Sequence, residues 1–271
     1  MLYDTHAHLD MLKDLDSVIE NARRNHVKII VAQSVDIDSM KKSLEICKKY
    51  PDVMKLSVGL YPEDDLKESD LLELEKFVSD NREYIFAIGE IGMDFTPRVA
   101  SAGCRVKSVE MKEDEIEKVR EISDERKKLQ EYVFRKQLEL AERLGVPVSI
   151  HTRKAEREVV DILRDYPNVK KILHCFSGNF KLVKEAENIG CYFSIPTNIV
   201  RSEHFQKMVG EINRDRILTE TDSPYLSPFK DSWNEPANIG ESIKVISGLW
   251  DLSEKDVEDI IENNFVKLYS A

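Results

Sequence analysis

Short runs rich in Val, Ile, Leu and Phe alternate along the chain with longer stretches in which apolar residues recur every three to five positions. The short runs lie near residues 1–6, 28–32, 54–59, 85–89, 146–150, 170–173, 192–195 and 216–218. Brief apolar runs bounded by polar residues read as buried strands, and the amphipathic stretches between them read as helices, so the pattern predicts repeated βα units around a parallel sheet. Leu129, Val133, Phe134, Leu138, Ala141 and Leu144 mark one such helix, with Gly145 as its stop. Ser253 and Asp256 form a capping-box pattern ahead of a last helix that buries Val257, Ile260, Ile261 and Phe265.

Eight such units in about 250 residues predict a (β/α)8 TIM barrel, with residues 1–271 as one domain. A doubly wound sheet is the alternative, because counting units does not establish closure. Residues 96–128, after the fourth strand, break the rhythm. They open with Pro97-Arg98-Val99 and then become densely charged, which reads either as a solvated insertion or as an elaborated loop over the active face.

Composition narrows the function. With 271 residues, 41% hydrophobic and 34% charged, the chain can bury a large core and is not a disordered or fibrous protein. Forty basic against 51 acidic residues leave a net charge of −11, so no global positive field draws it to nucleic acid, and any polyanion site is local or carried by metal. Cys47, Cys104, Cys175 and Cys191 show neither C-x-x-C nor finger spacing and fit free thiols in a reducing cytosol. No apolar run approaches the ~20 residues of a membrane span and no secretory signal pattern opens the sequence, so the expected location is cytoplasmic, without membrane contact.

The chemistry gathers at the predicted strand ends. In Asp4-Thr5-His6-Ala7-His8-Leu9-Asp10, residues two apart on a strand face the same way, so His6 and His8 both point into the barrel. Such a pair is open to two readings, metal ligands or hydrogen-bonded core histidines. The other strand ends carry Glu90 and Asp94, His151 and Arg153, His174 and Ser177, and Asp222. Four of the six histidines fall there, whereas His26 and His204 lie in helical or connecting sequence and are expected at the surface. This rim is where barrel enzymes build active sites, and the concentration of donors on it points to metal. Imidazoles, a second acid and one shared carboxylate exceed the needs of a single tetrahedral zinc and suit two adjacent ions, an arrangement that lowers the pKa of a bound water and serves hydrolysis. Arg153, two residues beyond His151, reads as a phosphate clamp or a rim salt bridge.

These motifs, namely Asp-Thr-His-Ala-His-Leu-Asp, Gly-Glu-Ile-Gly-Met-Asp at 89–94, Pro-Val-Ser-Ile-His-Thr-Arg at 147–153, His-Cys-Phe-Ser-Gly at 174–178 and Glu-Thr-Asp-Ser-Pro-Tyr-Leu at 220–226, resemble in this order the TatD family of metal-dependent deoxyribonucleases. The resemblance covers nearly the whole chain, including Gln130, Phe134, Gln137 and Asn234-Glu235-Pro236. It implies an amidohydrolase-like barrel, two divalent metal ions (Zn, Mn or Mg) and hydrolysis of DNA phosphodiester bonds. On the matching positions, His6 and His8 would bind the first ion, His151 and His174 the second, and Glu90 both. Asp222 would ligate the first ion and orient or deprotonate the attacking water. Asp94 and Ser177 are expected either to support the metal ligands from behind or to contact the substrate.

The sequence departs from the family pattern in three places. Tyr61 in Gly59-Leu60-Tyr61-Pro62-Glu63 stands where the family usually has a histidine, so it is expected to donate to a phosphate rather than act as an imidazole acid. Residues 194–201 replace a small Ser/Gly-rich turn, and residues 96–128 are long. The net charge counts against extended duplex binding, which makes single-stranded DNA or strand ends the expected partner. An ester or amide hydrolase, or an aminoacyl-RNA deacylase, on the same barrel is the alternative, and a non-catalytic metal scaffold a further one. Many amidohydrolases carry a modified lysine at the fourth strand; Glu90 there favours the nuclease-like branch.

Overall fold

In the computed structural model, which describes residues 1–63, 66–99 and 119–269, the apolar runs form an eight-stranded parallel sheet. The strands are β1 (Leu2–Ala7), β2 (Val27–Gln33), β3 (Met54–Val58), β4 (Ile85–Asp94), β5 (Val148–Arg153), β6 (Lys171–His174), β7 (Tyr192–Pro196) and β8 (Ile217–Glu220). Neighbours in the sheet follow chain order throughout, so the strand order never reverses as a doubly wound sheet requires. The edges meet at a β1–β8 seam. There Thr5 Oγ1 donates to Thr219 O (3.0 Å), Thr219 Oγ1 to Tyr3 O (2.8 Å) and the Asp222 amide to His6 O (2.8 Å), and Ala7 bridges Ser223. The fold is a (β/α)8 barrel.

The helices are α1 (Leu15–Arg24), α2 (Ile37–Lys49), α3 (Asp70–Asp80), α4 (Asp124–Leu144), α5 (Glu156–Leu163), α6 (Phe180–Asn188), α7 (Glu203–Glu211), α8 (Gly240–Trp250) and α9 (Glu254–Tyr269). Each lays an apolar stripe on the outward faces of the strands; Val133, Phe134, Leu138 and Ala141 of α4 are all buried in that layer. The helix starts five residues earlier than its apolar stripe suggests, because Ser123 Oγ accepts from the Arg126 amide (3.2 Å) and caps a charged first turn. The insertion expected at 96–128 therefore ends by Ser123. Its residues 100–118 lie outside the described ones, and on either side of them Arg98–Val99 pairs antiparallel with Val119–Arg120.

A second apolar cluster fills the barrel below the strand ends. Val31, Ile172, Tyr192 and Leu218 lie two residues before Gln33, His174, Ser194 and Glu220 on the same strand faces, and they pack with Tyr3, Phe265 and Leu268. Phe265 and Tyr269 of α9 stack on Phe86 and on each other, so this helix closes the end of the barrel opposite the histidines. Burying a ring such as Phe265 contributes about 2–3 kcal/mol. No helix among the described residues is long and apolar enough to cross a membrane.

Candidate metal centre

The strand-end side chains converge. His6 and His8 present their Nε2 atoms 3.4 Å apart, although not by simple alternation: the register shifts between Asp4 and Ala7, and His8 has already left the strand with φ −97° and ψ 79°. Glu90 Oε2 lies 3.4 Å from His6 Nε2 and 3.5 Å from His8 Nε2. Asp222 Oδ1 lies 3.7 and 3.5 Å from the same two nitrogens. Asp222 is aimed there by a left-handed backbone (φ 54°) whose amide is tied to His6 O. His6, His8 and Asp222 present donor atoms close enough together to hold one ion, as do His6, Glu90 and His174, and these separations lie near the edge of about 3.4 Å of a tetrahedron with metal–ligand distances of about 2.1 Å. The donor set fits a divalent ion.

The other oxygen of Glu90 faces a different pair. Glu90 Oε1 is 3.0 Å from His151 Nδ1 and 3.8 Å from His174 Nε2, and the His6 and His174 rings stack with centroids 3.7 Å apart. His174 Nδ1 meets the Glu220 carboxylate at 3.0 Å, which also accepts from the Cys175 amide (3.1 Å) and from Ser194 Oγ. The tautomer that donates Nδ1–H to Glu220 leaves the His174 Nε2 lone pair for the centre. His6 Nδ1 is likewise held by Ser149 Oγ at 3.1 Å, and His8 Nδ1 is buried with no hydrogen-bond partner among the described residues. Gly92, at φ 139°, packs so closely on β5 that a Cβ there would collide with the His151 carbonyl, which fixes how near Glu90 and His151 can come.

Electrostatics follow from burial and crowding. Burial opposes a charged His8, yet its hydrogen bond to Asp222 and the charges of Glu90 and Asp222 outweigh that and push it up to about 9. Burial would raise Glu90 and Asp222, but the surrounding imidazoles hold Glu90 well below the usual carboxylate range and Asp222 below its ordinary value. Both are thus anionic near neutrality and positioned to hold cations. Glu220 goes the other way, pushed up to about 8 chiefly by burial, against the charge of His6 and with that of Asp222.

The four expected substrate contacts divide. Arg153 and Ser177 line one open cleft of about 460 Å³ together with Lys154 and Arg157, beside β5 and β6. Tyr61 and Asp94 are buried instead: Tyr61 Oη is 3.0 Å from His151 Nε2, and Asp94 Oδ2 is 3.5 Å from the same atom. For Asp94 this placement fits the supporting role among its two expected ones, and it sets Tyr61 against the same imidazole. Two glutamines on the buried face of α4 set this up. Gln137 accepts from the Leu60 amide (2.7 Å), and Gln130 accepts from the Asp94 amide (3.0 Å) while donating to Pro62 O (3.2 Å). His204, expected at the surface, is half-buried with Nε2 at 3.1 Å from Phe176 O, whereas His26 is exposed. Glu220 is the site residue that sequence reasoning passed over; its place two residues before Asp222 on a strand was the available signal.

Comparison with known proteins shows what the chain as a whole is similar to. A metal-dependent hydrolase of Methanocaldococcus jannaschii, described as uncharacterized, is 34% identical over 270 residues, covering 98% of this chain and 96% of that one. Deoxyribonuclease TATDN3 of Homo sapiens is 32% identical over 279 residues, covering 99% and 94%. The crystal structure of the TatD homologue YjjV from Escherichia coli K12 superposes with a TM-score of 0.82 at 20% identity, over 100% of this chain and 98% of that one, which shows the shared barrel. The model of TatD related DNases matches residues 3–270, and the chain belongs to that family.

Proposed function

We propose that the chain hydrolyses phosphodiester bonds in DNA, with His6, His8, Glu90 and Asp222 holding one divalent ion and His151, His174 and Glu90 holding a second. The observation that carries this reading is Glu90, whose Oε2 faces His6 and His8 while Oε1 faces His151 and His174. When bound, two ions of the Zn, Mn or Mg class lower the pKa of a water and offset charge on the phosphate. The protein's own groups do the rest. Asp222, anionic and directed at the centre through Oδ1, orients the attacking water and takes its proton on the other carboxylate oxygen while the water oxygen bonds to phosphorus and the ester P–O bond breaks; the proton then passes to the leaving oxygen. Glu220, Ser149, Asp94 and Tyr61 hold the imidazole rings in place. Arg153 and Lys154 give the neighbouring cleft the local positive charge that the chain lacks globally, a place for phosphates flanking the scissile one.

The named deoxyribonuclease relative supports DNA as the substrate. The test is cleavage of 5′-labelled single-stranded DNA by metal-stripped protein with Mg, Mn or Zn restored, beside Asp222→Asn. Laddered cleavage that needs metal and disappears in the variant is expected. Protein that binds two equivalents yet cleaves no phosphodiester overturns the reading in favour of a carboxylic ester or amide hydrolase.

A further inference from the structure

The loop after β8 carries an unusual surface. Tyr225, Phe229 and Trp233 are 49%, 51% and 76% exposed, and all three line one cleft of about 560 Å³ with Arg201 and Lys230. Other exposed large apolar side chains, such as Leu72 and Val266, lie far apart in sequence on α3 and α9. The loop starts directly after Asp222, and the Tyr225 ring stands edge-on to the His8 imidazole with centroids 6.3 Å apart. Through Tyr225 the aromatic cleft therefore adjoins the candidate metal centre.

The rings sit on a braced backbone. Arg201 Nη1 donates to Pro228 O (3.1 Å) and Thr197 Oγ1 to Leu226 O (3.0 Å). Buried Asn234 donates to Thr221 O (2.7 Å) and Thr197 Oγ1 (2.8 Å), and Ser227 and Ser232 join hydroxyls at 2.8 Å. Residues 194–201, which depart from the family pattern, thus supply the struts that hold this loop. Three rings kept in water on a fixed loop, with cations among them, suit one class of ligand. Base faces stack on aromatic side chains without regard to sequence, and nearby cations take the phosphates. Paired bases already stack on one another and cannot offer those faces.

We infer that Tyr225, Phe229 and Trp233 form a stacking platform for unpaired nucleobases adjoining the scissile phosphate. This rests on the phosphodiesterase reading for its role in turnover, but not for binding. Trp250 is buried and Trp233 exposed, so a ligand on the platform changes the emission of Trp233 directly. The experiment titrates metal-loaded protein with a slowly hydrolysed phosphorothioate oligothymidylate of about ten nucleotides, and with a blunt duplex of equal length. Saturable quenching is expected, at least about ten-fold tighter for the single strand, and weakened about 5- to 100-fold by Phe229→Ala; Trp233→Ala, followed by filter binding, shows the same loss. Both side chains are exposed, so neither substitution empties a core. In turnover the variants raise KM for the oligonucleotide far more than for bis-p-nitrophenyl phosphate. Absent quenching, equal affinity for the duplex, or full affinity in both variants overturns the platform. An unmodified oligothymidylate that binds and quenches but is not cleaved leaves the platform standing and removes the nuclease reading; cleavage without quenching does the reverse.

Discussion

The two halves of the centre are built differently. On the Glu90 Oε2 side, the His6 and His8 nitrogens lie 3.4 and 3.5 Å from that oxygen and 3.7 and 3.5 Å from Asp222 Oδ1, with Asp222 and His6 tied together by backbone across the barrel seam. Around Glu90 Oε1, the spacing is uneven, 3.0 Å to His151 and 3.8 Å to His174, and each imidazole leans on a carboxyl group behind it, Asp94 or Glu220. Behind the first group stand the seam and one hydroxyl, Ser149 on His6; behind the second stand carboxyl groups on both imidazoles. The lesson is that substitutions behind the rings should act on the second half while sparing the first.

The largest effect is expected from Glu90→Gln, which weakens both halves at once. Metal analysis should show affinity for both ions reduced beyond the roughly 100-fold that loss of a supporting partner causes; retention of two tight ions would sink the shared-carboxylate assignment. Asp222→Asn should cut kcat by about 10²–10⁴-fold while the His151–His174 half stays loaded, because it removes the proton acceptor together with one first-half ligand. Glu220→Gln sharpens the comparison further. It should lower affinity for one ion about ten-fold and leave the other unchanged, measured by competition with a chromophoric chelator; equal losses would break the asymmetry. Tyr61→Phe removes one hydrogen bond from the His151–Asp94 group and should cost that same ion about 2- to 10-fold.

The smallest effect is a pH dependence of the metal-free protein. His8 is raised in the fold to about 9 from an ordinary 6.5, so its stabilising contribution is full below pH 6.5 and fades as pH climbs through 9. Metal-free protein should therefore lose several degrees of melting temperature between pH 6.5 and 9, and a His8→Ala variant should lose less over that range. Metal competes with the same proton, so ion affinity should rise over the range in which metal-free stability falls.

Much of this was legible in sequence because barrels repeat one unit. Each strand was marked by its apolar run, and strand ends carrying His151, His174 and Asp222 were visible as polar exits from those runs. What stayed hidden depends on contacts across the barrel. Tyr61 and Asp94 look like rim donors in one dimension and become supports of His151 only once Gln137 and Gln130 draw their loops against α4. Glu220 reads as one more rim acid until β6 and β7 bring His174 and Ser194 to it. The His6–His8 convergence was anticipated from strand alternation, yet it arises from a register shift and an early exit from β1. The start of α4 was missed because a charged first turn has no apolar signal and is set by its Ser123 cap.

The seam also gives the ligands a polymer-physics role. His6 and Asp222 stand at opposite ends of the strand sequence, and an ion gripped by both cross-links a loop of more than 200 residues. In the chain-entropy picture, a link across a loop that long removes about 5 kcal/mol of freedom from the unfolded chain, as much as a well-placed disulfide. The centre that performs the chemistry would then also be the clasp of the barrel, and a chelator would loosen the β1–β8 seam before any other part of the sheet.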